Sequence, residues 1–128
     1  MSGIRLGKWL GHGALALALA ACAATSQELA PFPGAEAQIR TYYEANAFEL
    51  NATCVTPFIS NIVAVEVVRD DDRQVVLDVR YLYDVHVRPA AWGIAACNNF
   101  ASRRFTFERT EGGLRLSGMT GEQRARAG

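Results

Sequence analysis

The sequence predicts an α+β domain: one N-terminal helix packed on a four-stranded antiparallel meander sheet, after a cleaved signal peptide. Three observations predict it. Apolar residues recur at three- and four-residue steps between Gly34 and Asn51. Apolar and polar residues then alternate with period two across 74–88. Polar or glycine-rich turns, at Asp70–Asp72 and Thr110–Gly113, separate β-rich runs in hairpin order.

The chain has 128 residues, half of them apolar and 20% charged, with a formal net charge of zero. That length suits one domain, and the composition argues against disorder. No strongly basic field is present, so nucleic acid is not an expected partner.

Residues 1–21 read as an export signal. Arg5 and Lys8 make a positive start, and Ala14 to Ala24 is an uninterrupted apolar run of 11 residues. A membrane-spanning helix needs ~20 such residues, whereas a signal h-region needs ~7–15. The run contains Leu19-Ala20-Ala21-Cys22, which resembles the bacterial lipobox. The resemblance implies that Cys22 carries diacylglycerol by thioether, becomes the first residue after cleavage, and is N-acylated. Several acyl chains make a firm membrane anchor. Ala23 after the cysteine implies the periplasmic face of an outer membrane. A plain signal peptide, giving a periplasmic or secreted protein, is the alternative.

Without the signal, residues 22–128 hold thirteen acidic residues against eleven arginines and no lysine, a net charge of −2. Cys54 and Cys97 are then the remaining cysteines. Two cysteines in an oxidising compartment read as a disulfide, worth ~4 kcal/mol by chain entropy at this spacing. A metal pair is the alternative, but there is no CxxC spacing and only one histidine follows the signal.

Residues 22–33 read as a short polar, proline-containing tether. The domain itself is expected over 34–121. Pro33 suits a helix start, and Ile39, Tyr42, Tyr43, Ala47 and Leu50 form one apolar stripe, with Phe48 at its edge. Glu36 and Arg40 make a favourable i,i+4 pair. Asn51-Ala52-Thr53 matches the glycosylation acceptor pattern, a chance match in a bacterial lipoprotein. Thr56-Pro57 ends the helical pattern, and Ile62–Arg69 is expected as the first strand. Asp70, Asp71 and Asp72 lack the spacing, glycine and distant glutamate of a calcium loop, so they read as a turn.

The second strand is expected over Gln74–Arg88. Val75, Leu77, Val79, Tyr81, Tyr83, Val85 and Val87 share one face; Asp78, Arg80, Asp84, His86 and Arg88 share the other, with Val76 and Leu82 as exceptions. Pro89–Asn99 reads as a loop that Cys97 would pin to Cys54. Ser102–Arg109 is the third strand, with Phe105 and Phe107 inward, and Leu114–Thr120 the fourth, with Leu114 and Leu116 inward. Residues 122–128 read as a flexible tail. This element order resembles the cystatin-like and NTF2-like folds, over roughly residues 34–120. The single N-terminal helix favours the smaller, cystatin-like version, or a distinct lipoprotein family of this shape.

Two functional classes compete. His86 follows Asp84 by two residues, so both share a strand face, an arrangement able to tune an imidazole for acid–base work. On the expected wet face it reads more simply as a surface ion pair. Tyr42, Tyr43, Tyr81, Tyr83 and Trp92 either line a pocket between helix and sheet or fill the core. Arg80, Arg88, Arg103 and Arg104 form either a basic patch or cross-strand pairs with Asp78, Asp84 and Glu108. There is no GxSxG elbow, Walker loop or GxGxxG, so no cofactor or metal is expected. The leading expectation is a lipid-anchored module that meets an envelope protein partner and has no catalytic residues, with Tyr81, Tyr83, Trp92 and His86 as candidate contact or pocket residues. The alternative is a small-ligand domain or weak acid–base enzyme using Asp84 and His86.

Overall fold

The computed structural model describes residues 28–87 and 97–125. One helix, α1 (Ala35–Asn46), precedes four strands: β1 (Pro57–Asp70), β2 (Gln74–Val85), β3 (Asn99–Thr110) and β4 (Gly113–Met119). The strands form one antiparallel sheet in the order β1-β2-β3-β4, so the predicted α+β meander is present. Among the described residues, no helix is long and apolar enough to cross a membrane.

Helix and sheet bury each other's apolar faces. Ala35, Ile39 and Tyr43 are fully buried from α1. They meet Val75, Leu77, Val79 and Tyr81 from β2 and Phe105 and Phe107 from β3, all fully buried. Glu36 and Arg40 form the expected pair at 3.1 Å on the outer side of the helix.

The helix is shorter than its apolar stripe. It stops at Asn46, and Ala47 is already extended. Leu50, Asn51 and Ala52 follow with φ of 53°, 52° and 63°, a left-handed run without glycine. Each such residue costs about 1 kcal/mol or more. The run is held by Thr53 N–H donating to Leu50 O and by mutual backbone bonds between Glu49 and Cys54. Leu50, assigned to the stripe from its spacing, is instead 42% exposed. Helical continuation loses here because the chain must turn to bring Cys54 beneath the sheet end.

The first strand begins five residues earlier than its alternation suggests. Three irregularities interrupt its pairing with β2, between Ile59 and Asn61, Ile62 and Ala64, and Val67 and Arg69. Ser60, Val63 and Val68 are the extra residues, and each shifts the inward-facing parity by one. Ile59, Ile62 and Val65 therefore face the helix side at three-residue spacing, which hides the strand period. β2 is regular, but ends at Val85; Val87 lies beyond it and is 80% exposed, contrary to its assignment to the core face.

The turns behave as read. Asp71 caps the β1–β2 turn, its Oδ1 accepting from the N–H groups of Arg73 and Gln74. Those bonds hold its carboxyl below the usual carboxylate range. Gly113 supplies the positive φ after Glu111-Gly112.

Both flanking segments join the domain. Leu29 and Phe32, inside the expected tether, are core residues at 5% exposure. The start of the expected tail is docked rather than free. Phe48 N–H donates to Glu122 O, and Arg124 N–H to Asn46 O, around an Ala47–Gln123 bridge. Arg124 also donates to Ala45 O and Val55 O, closing the C-terminal end of α1.

Cys54 and Cys97 are disulfide-bonded, with Sγ atoms 2.05 Å apart and Cα atoms 5.6 Å apart. Both are buried. They tie the segment after α1 to the start of β3, at the end of the sheet opposite the two hairpin turns.

Candidate functional site

The helix-side face of the sheet carries a charge. Arg103 has the same strand parity as Phe105 and Phe107, so it points toward the core, where it is 4% exposed. Glu49, from the strained segment after α1, is 8% exposed beside it. An isolated buried charge is prohibitively costly, so the surroundings must supply partners.

They do so completely. Arg103 Nε donates to the Tyr81 hydroxyl at 2.8 Å. Its Nη1 donates to Thr120 O and Glu122 O, both at 2.9 Å. Its Nη2 donates to Phe48 O at 2.6 Å and lies 3.3 Å from Glu49 Oε2. That carboxylate oxygen also accepts from the hydroxyls of Tyr43, at 2.7 Å, and Tyr81, at 2.6 Å. The Tyr43 and Tyr81 rings meet edge to face, 5.0 Å between centroids, and the guanidinium lies 5.3 Å from the Tyr43 ring. Among the described residues, no buried side-chain nitrogen or oxygen lacks a hydrogen bond.

Burial pushes the Tyr43 and Tyr81 phenols well above their ordinary range; the next-largest causes are the neighbouring Tyr81 for Tyr43 and the bond to Glu49 for Tyr81. Tyr83 is raised in the same direction, mainly by burial. Tyr43 and Tyr81 are held as neutral phenols, each donating a hydrogen bond to Glu49 Oε2. The cluster joins four separate stretches of chain: α1 and its following turn, β2, β3 and the C-terminal segment.

Arg103 thus corrects two expectations. It is neither part of an exposed basic patch nor one of the outer cross-strand pairs. Its neighbour Arg104 does pair across the strands, with Asp78 at 3.6 Å, and Arg115 pairs with Glu108. Arg80 lies over the Phe100 ring, 5.5 Å from its centroid. Arg88 falls outside the described residues. The parity shared with Phe105 and Phe107 was the available signal for Arg103. Glu49 had no such signal.

The candidate contact residues separate. Tyr81 belongs to the buried cluster, and Tyr83, 3% exposed, packs beside it with ring centroids 6.4 Å apart. His86 is on the surface, its side chain 62% exposed, with Nε2 3.2 Å from Glu44 Oε1. Its ring stacks on Phe58 at 4.2 Å. Asp84 is half-buried and accepts from the Val85 N–H. Trp92 and Cys22 lie outside the described residues. Tyr42 lines an open groove of about 410 Å³ between α1 and β4, with Ala37, Gln38 and Leu116. Around the disulfide, Val55, Thr56, Val85 and Val87 line another of about 360 Å³. Among the described residues, no three His, Cys, Asp or Glu side chains are grouped to hold a metal ion.

Compared with known proteins, the chain matches no family model, no curated protein and no solved structure.

Proposed function

We propose that this chain is a lipid-anchored, periplasm-facing envelope lipoprotein that acts as a small interaction module without catalytic activity. The anchoring half of the reading rests on Leu19-Ala20-Ala21-Cys22 behind a short apolar run. The order of one helix and four meander strands supports the cystatin-like version of the fold.

The observation that carries the interaction half is the polarity of the domain relative to its anchor. Leu29 enters the core seven residues after Cys22, a reach of at most ~25 Å when fully extended. The chain enters at the end of the sheet that holds both hairpin turns, where Gln38 bonds Leu114 O. The turn end carries ion pairs, Arg69 with Asp71 and Arg109 with Asp70, beside two half-exposed valines, Val67 and Val68. The opposite, disulfide end exposes the larger apolar set, Leu50 at 42%, Val55 at 54%, Phe100 at 52% and Val87 at 80%. A module tethered at one end presents the other to partners, and exposed apolar residues are where association gains most.

The test has two arms. Cys22→Ser should leave unprocessed precursor or release the domain from the membrane fraction; unchanged mobility and membrane association would defeat the anchor. Photo-crosslinkers at Val55 or Val87 should give discrete envelope adducts that the same probe at Arg73 or Glu111 does not. Equal adduct patterns at both ends would overturn the interaction reading.

A further inference from the structure

The C-terminal strap crosses the buried cluster in an unusual way. Gly121, Glu122 and Gln123 are exposed on their outer side, yet their inner side closes over Arg103. The carbonyls of Thr120 and Glu122 straddle Nη1, both at 2.9 Å. Gly121 adopts φ of 90°, and a Cβ there would sit 2.8 Å from Arg103 Nη1. Only glycine lets the backbone lie this close, and the guanidinium cannot yield because Tyr81, Phe48 O and Glu49 hold it from the other sides.

The strap's contacts with the domain are mostly backbone ones, made by a chain that bends at Gly121 (φ 90°) and is held in that bend by Gln123 Nε2 donating to Met119 O. Its backbone pairs with 46–48 through Phe48 N–H to Glu122 O and Arg124 N–H to Asn46 O. The Glu122 carboxylate accepts the Asn51 N–H at 3.0 Å, in the left-handed turn. The backbone pairing is one bridge long, and the strap's other holds are its carbonyls on Arg103 and the Arg124 side chain on Ala45 O and Val55 O; a chain-terminal segment of this kind opens below global unfolding. Once open, it leaves two guanidinium N–H groups and the Phe48 and Asn51 N–H groups on one surface, with Asn46 O as acceptor. That set recognises a peptide backbone with an acidic side chain and a glycine one residue before it, where Gly121 sits.

We propose that the strap is the resident occupant of a peptide groove, and that a Gly-Glu-type acidic segment of a partner protein takes its place. The proposal rests on the interaction-module reading and names the surface and the chemistry of the partner. The strap acts as a built-in competitor, present at an effective concentration of order millimolar for so short a tether.

The full-length chain and a synthetic peptide of residues 119–125 test this. Gly121→Ala forces the resident strap off the guanidinium while leaving every residue of the groove in place. The peptide should then bind Gly121→Ala at least ~10-fold more tightly than it binds the wild type, because the tethered competitor is weakened. Amide shifts should appear at Phe48 and Asn51 and at Arg103 Nε, and a Glu122→Gln peptide should bind several-fold more weakly. Arg124→Pro, which removes the N–H on Asn46 O and the guanidinium bonds to Ala45 O and Val55 O, supplies the same opening from outside the buried cluster if Gly121→Ala does not fold. Equal binding to wild type and variants, no binding to either variant at millimolar peptide, or shifts confined to the Phe58–His86 surface would each overturn the groove. Equal binding of the Glu122→Gln peptide would overturn the acidic requirement. Envelope adducts at Val55 that persist when the peptide fails would sink the groove and keep the interaction module.

Discussion

Arg103 and Arg104 are adjacent on β3 and live in different solvents. Arg103 is buried on the helix side, held by the Tyr81 hydroxyl, three backbone carbonyls and Glu49. Arg104 is on the outer face, 3.6 Å from Asp78, with its side chain 56% exposed. Water screens the second pair and competes for its hydrogen bonds, so its net worth is small. Removed from water, the first pair depends wholly on protein partners, and its integrity matters far more than its nominal attraction. One residue of strand parity separates a surface charge from the centre of a core.

Arg103→Ala leaves Glu49 buried without its cation. A loss of ~3–5 kcal/mol is expected from urea unfolding. Loss below ~1 kcal/mol would mean that the cluster is open to water in solution. The paired change Glu49→Leu with Arg103→Met should cost less than Arg103→Ala alone, because no charge is stranded.

The tyrosines test the same burial through pH. Below pH ~10 the folded and unfolded chains both keep the phenol protons. Above it the unfolded chain releases protons that folded Tyr43 and Tyr81 retain, so stability falls as pH rises. The expected slope is ~1.4 kcal/mol per pH unit for each tyrosine. Tyr43→Phe should roughly halve the slope due to this pair. A flat stability profile between pH 10 and pH 12 would contradict the raised phenols.

The smallest effect belongs to the outer face. Arg104→Ala should cost no more than ~1 kcal/mol, and its effect should shrink further in added salt. A larger loss that persists in salt would erase the distinction between the two faces.

How much of this was legible follows from how local each signal is. β2 was readable because its inward apolar positions recur at every second residue from Val75 to Val85, with only Val76 and Leu82 breaking the polar face. β1 was partly hidden because Ser60, Val63 and Val68 each reset the parity. The helix start was readable, but its end was not. No proline or glycine stops the stripe before Leu50; the stop comes from the Ala47–Gln123 pairing and the left-handed turn. Tyr81 and Tyr83 were visible as aromatic candidates, but not whether they faced a pocket or a carboxylate. The strap read as a tail because Gly121, Glu122 and Gln123 are polar, and its contacts span more than seventy residues.

From the sequence alone came the α+β class, the order and hairpin pairing of the strands, the Asp71 turn and the pairing of Cys54 with Cys97. These follow from local periodicity, turn chemistry and the small number of cysteines. Tertiary structure alone decided that Glu49 meets Arg103, that two phenols share one carboxylate oxygen, and that Gly121 closes the site. A buried charge is tolerable only where distant stretches of chain bring it every hydrogen bond that water would have made. Local periodicity places a residue on a face, but it does not carry the identity of the partners brought there from elsewhere.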